Sequence, residues 1–336
     1  MDLKSIKRVL VTGGGGFLGA AVVKKMIKRG CYVRTFSRNY YQELEDYGVD
    51  QVHGSLCCRE EVEKACQGIE VVFHAAARTG VWGSYKDYYS TNYTGTCNII
   101  QACRNNKVDR LIYTSSPSVI FNGSDMEGVD ESIPYPAKYH AFYPATKALA
   151  EQAVIEASKY GLKTISLRPH LIWGPGDTNL VPRIIKRAAS LVRVGNGKNL
   201  VDTIYIDNAA DAHIMAADQL KEDSSLSGRV YFISQDEPVY LWDMVDNILK
   251  AAGLNPVKKS INKNMAWAIG AVLETCYKIF KIKQEPRMTR FVAHELATAH
   301  WFNISAAKKD LGFLPKISTR EGLARLGEWL KKYPVQ

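Results

Sequence analysis

Tyr143 and Lys147 stand four residues apart in the run Tyr143-Pro144-Ala145-Thr146-Lys147. On a helix that spacing puts both side chains on one face, where they can act on a single substrate atom. A phenol titrates near ~10 and is a poor acid–base group at neutral pH unless a neighbouring cation favours its phenolate. The Lys147 ammonium is read as that cation. It can also hold the hydroxyls of a sugar, which would set a nucleotide cofactor beside the phenol. Alone, such a pair is an ordinary surface feature, and its context decides otherwise here. Ser116 ends the apolar run Leu111-Ile112-Tyr113-Thr114-Ser115-Ser116, where it can hydrogen-bond a carbonyl oxygen. A serine at a strand end is otherwise a turn residue; Tyr143 downstream makes Ser116 a catalytic candidate.

These groups need a scaffold, and the chain supplies one from its start. Val9 to Thr12 reads as a buried strand, Gly13 to Gly19 as a glycine turn, and the residues through Lys28 as a helix. Such a turn lets the backbone approach a pyrophosphate, whose charge then sits at the helix N-terminus. Four consecutive glycines fit two registers, one counted from Gly13 and one from Gly14, and spacing does not choose between them. A second strand, Tyr32 to Phe36, ends in Ser37-Arg38, where folds that take NAD place a carboxylate for the ribose 2′-hydroxyl. With no acid there, Arg38 favours a 2′-phosphate and NADPH over NADH, against the plainer reading of a solvated surface arginine.

A third strand near Gln51 to His53 precedes Ser55 and Leu56, and Val71 to Ala77 reads as a fourth, its small Ala75 to Ala77 letting a cofactor lie close. The following loop carries Trp82 and Tyr85, read as substrate-facing. A helix from about Asp87 to Asn106 carries Asn92. A later strand, Thr164 to Leu167, leads into Arg168 to Asp177, where Pro and Gly mark departure from the sheet. His170 lies there, as a substrate contact or a satisfied core histidine. Thr203 to Asp207 reads as a returning strand before a helix from Ala209 to Leu220.

Composition bounds the function. The chain has 336 residues, enough for a large α/β domain with a smaller one, and a formal charge of +10 from 44 Lys plus Arg against 34 Asp plus Glu. The basic residues are scattered, which disfavours nucleic acid. Seven cysteines without C-x-x-C spacing suggest neither zinc nor a disulfide framework, so no metal is expected and a reducing cytoplasm fits. The stretch Met1 to Arg8 shows no signal-peptide core. Late in the chain Met265, Ile269, Val272, Leu273, Cys276 and Phe280 recur at helical spacing, with Lys278, Lys281 and Lys283 after them. Too short to span a bilayer, this segment (264–283) reads as a helix packed on its own domain, as a membrane-surface or enzyme-complex contact, or as a lid over an apolar substrate.

Taken together, Thr12 to Gly19, Asn92, Ser116, Tyr143 and Lys147 resemble the extended short-chain dehydrogenase/reductases. The stretches Gly16-Phe17-Leu18-Gly19 and Tyr113-Thr114-Ser115-Ser116 resemble their 3β-hydroxysteroid dehydrogenase branch. Gly80-Val81-Trp82-Gly83, Arg168 to Asp177, Asn199 to Asp202 and Glu285 to Phe291 are similar to its bacterial 2-alkyl-3-oxoalkanoate reductases of long-chain olefin biosynthesis. The resemblance implies the glycine register Gly13, Gly16, Gly19 and an α/β fold, a Rossmann-type doubly wound parallel sheet with a smaller, interleaved C-terminal substrate domain. The cofactor part would comprise 1–178 and 201–235, and the substrate part 179–200 and 236–336. It further implies a cofactor site of Gly13, Gly16, Phe17, Leu18, Gly19, Ser37, Arg38, Ser55, Leu56, Ala75, Ala76, Tyr143, Lys147 and Pro169, and a homodimer through the Asn92 and Tyr143 helices. Ser55 stands where many relatives carry an Asp near the adenine, and Ser37 replaces the acid of NAD-dependent steroid enzymes. The implied chemistry is hydride transfer from NADPH to the ketone of an apolar substrate with a carboxylate. Tyr143 would donate the proton, Ser116 would hold the oxygen, Lys147 would lower the Tyr143 pKa, and Asn92 would anchor a water linking Lys147 to solvent. The rivals are a sterol or 3β-hydroxysteroid dehydrogenase, a nucleotide-sugar epimerase or dehydratase, and a non-catalytic NADP sensor.

Overall fold

The computed structural model describes residues 6–335; Met1–Ser5, part of the N-terminal stretch considered above, lie outside them. Seven strands form one parallel sheet: β1 (Arg8–Thr12), β2 (Tyr32–Ser37), β3 (Asp50–His53), β4 (Val71–His74), β5 (Arg110–Thr114), β6 (Lys163–Pro169) and β7 (Arg229–Ile233). Their lateral order is β7-β6-β5-β4-β1-β2-β3. β4 is buried at every position and β1 at all but Arg8, the pattern of strands covered by helices on both faces. The chain order reverses between β1 and β4, which pair with Val9 opposite Val71 and Thr12 opposite His74. Loops leaving two such strands in opposite directions open a crevice at their carboxyl ends.

β4 stops at His74, short of the expected Ala77. The chain turns away there, and the Ala76 N–H donates to Thr12 Oγ1 (3.2 Å), so Ala75 to Ala77 line the crevice instead of extending the sheet. The expected returning strand is also shorter. Only Ile204–Tyr205 pairs, with Ile172–Trp173, and the next helix already begins at Ile206.

Helix Phe142–Ser158 carries Pro144 in its first turn, where a missing N–H costs nothing. Its buried side includes Lys147, Ala150, Glu151 and Val154. Glu151, four residues after Lys147, pairs with Arg168 of β6 through two hydrogen bonds (2.6 and 3.0 Å) and accepts a third from Tyr135 (2.7 Å). The helix is thereby locked to the strand that leads out to Pro169 and His170.

The helix expected near Asp87 to Asn106 runs Tyr85–Tyr88, then as a π-helix over Tyr89–Thr94, then Gly95–Asn105. Thr96 Oγ1 donates to the Asn92 carbonyl at 2.6 Å within this widened turn.

In the smaller part, Val239–Tyr240, Leu200–Val201, His300–Phe302 and Met126–Val129 form a four-stranded sheet in that order. Met126–Val129 comes from the N-terminal half yet pairs in parallel with His300–Phe302.

Helix Lys263–Ile279 is capped by Asn262, whose side chain accepts from the Met265 N–H (2.7 Å). It rests on the helix Arg290–Ala297 through Ala266, Gly270 and Glu274, and a Cβ on Gly270 would stand 2.6 Å from the Thr289 carbonyl carbon. The periodic apolar residues Met265, Ile269 and Val272 are exposed. The helix thus packs through two small residues and a paired carboxylate and turns Met265, Ile269 and Val272 outward. Among the described residues no helix is long and apolar enough to cross a membrane.

Candidate active site

The glycine turn is shaped by two close approaches. Gly13 sits at φ +68°, in the left-handed region, and a Cβ there would meet the Ala76 Cα at 3.0 Å. A Cβ on Gly19 would lie 2.1 Å from the Gly13 carbonyl oxygen, so the helix Phe17–Lys28 seats directly on the turn. Gly13, Gly16 and Gly19 line the crevice, while Gly14 packs on Thr35 and Gly15 beneath the Tyr41 ring. The crevice itself, about 870 Å³, runs from Arg38 and Ser55 past Ala75 and Ala76 to Ser116, Tyr143 and Lys147, and on to Arg183 and Glu285.

At its centre the Tyr143 phenol is pushed up to about 12 by burial, while a hydrogen bond with Ser116 pulls the other way. The Glu295 carboxylate raises it further. Lys147, expected to lower it, is not among these influences. The Lys147 ammonium instead donates to the Thr114 carbonyl (2.6 Å) and lies over the Tyr113 ring, 4.1 Å from its centroid. Burial brings Lys147 down to about 7, with the Glu151 carboxylate opposing that fall. Behind it, His74 bridges Thr12 and Thr96 (2.7 and 3.0 Å) and is lowered to about 3 by burial and then by the Lys147 charge. It is a neutral spacer at neutral pH.

Every residue expected at the cofactor lines this one crevice, from Gly13, Phe17 and Leu18 through Ser37, Leu56 and Pro169. Ser116 lines it too, and also closes a turn, accepting from the Ser118 N–H (3.2 Å). Three residues fall elsewhere. The Asn92 side chain is buried and committed to Arg78 N (2.7 Å), Arg78 O (3.1 Å) and Thr146 Oγ1 (3.1 Å), so it clamps the loop after β4 to the Tyr143 helix without lining the crevice. Trp82 turns outward, its indole N–H donating to the Ile282 carbonyl (3.1 Å) and its ring edge-on to Tyr277. Tyr85 packs on Tyr89 and Phe142. The parts of that loop that line the crevice are Thr79, Gly80 and Val81.

His170 lines the crevice, with its Nε2 2.6 Å from His300 Nδ1. His300 Nε2 faces the Glu295 carbonyl (2.9 Å) and must donate to it. His300 Nδ1 is then the acceptor and His170 Nε2 the donor, an arrangement available because burial keeps both rings neutral.

Three residues in or behind this site, Glu295, Arg183 and Glu151, are not marked by the sequence reading, and Asp177 and Glu285 entered it only as bounds of family-like stretches. Glu295 reaches the crevice from the helix Arg290–Ala297 with its carboxyl pushed up to about 7 by burial, the Arg183 guanidinium acting against the shift. Arg183 pairs with Glu285 (2.9 Å) on the far wall, and Asp177 accepts from the N–H groups of Asn179, Leu180 and Val181 to cap the helix bearing Arg183. No local pattern marks Glu295 or Arg183. Glu151 had a signal, since Tyr143, Lys147 and Glu151 repeat every four residues.

A model of the 3-beta hydroxysteroid dehydrogenase/isomerase family matches residues 10–263. The chain is 46% identical over 331 residues to a 2-alkyl-3-oxoalkanoate reductase of Shewanella oneidensis, covering 96% of this chain and 86% of the relative. It is 33% identical over 331 residues to a mouse sterol-4-alpha-carboxylate 3-dehydrogenase, decarboxylating, covering 96% and 91%. Among solved structures the crystal structure of gox2253 superposes with a TM-score of 0.79 at 24% identity, covering 98% of this chain and 99% of that one.

Proposed function

Because this chain is a member of the 3-beta hydroxysteroid dehydrogenase/isomerase family, a family of NAD(P)-dependent oxidoreductases, we propose that it reduces the ketone of a 2-alkyl-3-oxoalkanoate to the 3-hydroxy acid with NADPH, as in long-chain olefin biosynthesis. The observation that carries this reading is the single crevice that joins the glycine turn and Arg38 to Tyr143 and Ser116 and continues to Arg183. The residues present suit a dinucleotide. Side chains at Gly13 and Gly19 would fill the turn, the helix Phe17–Lys28 offers its N-terminus to a pyrophosphate, and Arg38 supplies a cation for a 2′-phosphate.

When bound, the nicotinamide supplies the hydride that reaches the ketone carbon. Ser116 holds the ketone oxygen by a hydrogen bond. Tyr143, a phenol at neutral pH, gives its proton as the alkoxide develops, and the reverse oxidation uses the same groups. Lys147 orients the ribose, and Arg183 offers a charge to the substrate carboxylate. We divide the chain as 1–178 with 201–235 for the cofactor and 179–200 with 236–336 for the substrate. We further propose a homodimer through the Asn92 and Tyr143 helices, where Tyr85 and Phe142 are 45% and 47% exposed and in edge-on contact.

The mouse relative supports a second reading, a sterol carboxylate substrate. NADPH consumption measured against β-keto acids of increasing length, a 3-ketosteroid and a nucleotide sugar separates them. We expect turnover with the keto acids; efficient steroid turnover with no response to chain length overturns that choice.

A further inference from the structure

The outer face of helix Lys263–Ile279 carries Met265, Ile269, Val272 and Ile279 in one stripe, continued by Phe280. Val272, Ile279 and Phe280 are 62%, 68% and 72% exposed, far more than isolated surface apolar residues require. The charge around the stripe is one-sided. Residues 263–290 contain only two acids, and both are engaged: Glu274 with Arg290 (2.7 Å) and Glu285 with Arg183 (2.9 Å). Lys278, Lys281, Lys283 and Arg287 are exposed around them. A twofold contact with a second copy through this face would set these cations against their own equivalents. An apolar stripe with four exposed cations beside it, and the two acids of the segment already paired, instead matches a layer of acyl chains beneath anionic headgroups.

The stripe also adjoins the mouth of the crevice. Trp82, next to the crevice-lining Gly80 and Val81, is bonded to the Ile282 carbonyl and packed on Tyr277, and Glu285 lines the crevice itself.

We propose that this face docks the protein on an anionic lipid surface, with the mouth of the crevice at the bilayer. Uptake of a two-chain apolar substrate from that bilayer rests on the function proposed above; the docking itself does not. Flotation of the full chain with vesicles of phosphatidylcholine, alone or mixed with phosphatidylglycerol, tests it. Wild type should float with the anionic vesicles and be released by salt. Val272→Asp combined with Ile279→Asp, and separately Lys281→Glu with Lys283→Glu, should each weaken partitioning at least about tenfold. Both variants should keep the wild-type circular-dichroism spectrum and cooperative thermal unfolding, which shows that they fold. No flotation of wild type, or flotation unchanged in both variants, overturns the proposal. So does a wild-type oligomer that the aspartate variant dissolves, since a second copy then covers the stripe. Flotation that depends on both sets of residues while wild type turns over no keto acid supports the docking and sinks the substrate reading alone.

Discussion

Tyr143 holds its proton up to about 12, so at neutral pH it is a protonated phenol, the form the proposed reduction requires. Replacing it with Phe should leave the fold and cofactor binding intact and lower turnover by ~10²–10⁴-fold; near-normal turnover in a steady-state assay would sink its role. Lys147 makes a pH prediction. Its ammonium titrates at about 7 in the cofactor-free crevice, and an anionic cofactor favours the charged form, raising that value in the complex. Affinity should therefore be full below about 7 and weaken as pH rises through it, by up to about tenfold per pH unit. NADPH titrations across this range check it, and Lys147→Met should flatten the curve. Arg38→Ala should narrow the preference for NADPH over NADH by about tenfold or more, the worth of one charge-assisted hydrogen bond; equal affinities in wild type would refute the assignment. The spacing of Tyr143 and Lys147 was plain in the sequence, but the direction of the Lys147 charge was not. It depends on the Thr114 carbonyl and the Tyr113 ring, which a sheet brings under the helix from some thirty residues upstream.

At the scale of elements, the helix bearing Tyr143 is held by the Glu151–Arg168 pair, of which both side chains are almost fully buried. Removing one partner leaves an unpaired buried charge, so Glu151→Ala should destabilise the protein by roughly 3–5 kcal/mol. Thermal or denaturant unfolding measures this, and a loss within error of zero would show that the pair does not anchor the helix. Six of the seven sheet strands and the glycine turn were legible as short apolar runs bounded by turn residues, the first of them closed by glycines; the edge strand Arg229–Ile233 was not read. The π-helical turn over Tyr89–Thr94 was not legible, since helical periodicity does not distinguish one widened turn from its α-helical neighbours. Trp82 and Tyr85, read as substrate-facing, pack on Tyr277, Tyr89 and Phe142 while Thr79, Gly80 and Val81 line the crevice, because sequence marks a loop without marking which of its residues turn inward.

For the molecule as a whole, a crevice built for alkyl chains should gain affinity by ~0.8 kcal/mol per buried methylene, about fourfold in kcat/KM, until it is full. A series of β-keto acids assayed with NADPH reads that slope, and a flat response excludes an alkyl-chain pocket. The partition between cofactor and substrate parts was only coarsely legible, because short strands such as Met126–Val129 find their partners far along the chain. That pairing has a temporal side. The Ala299 N–H donates to Asp125 across 174 residues, so on a ribosome adding about 5–20 residues per second the strand at Met126 waits roughly ten to thirty-five seconds for its neighbour. The nucleotide-binding sheet, complete apart from its β7 edge once β6 has emerged, can form in that interval. The wall that brings Glu295 to Tyr143 is the last to close, and every nascent chain passes through a stage with an open, unwalled crevice.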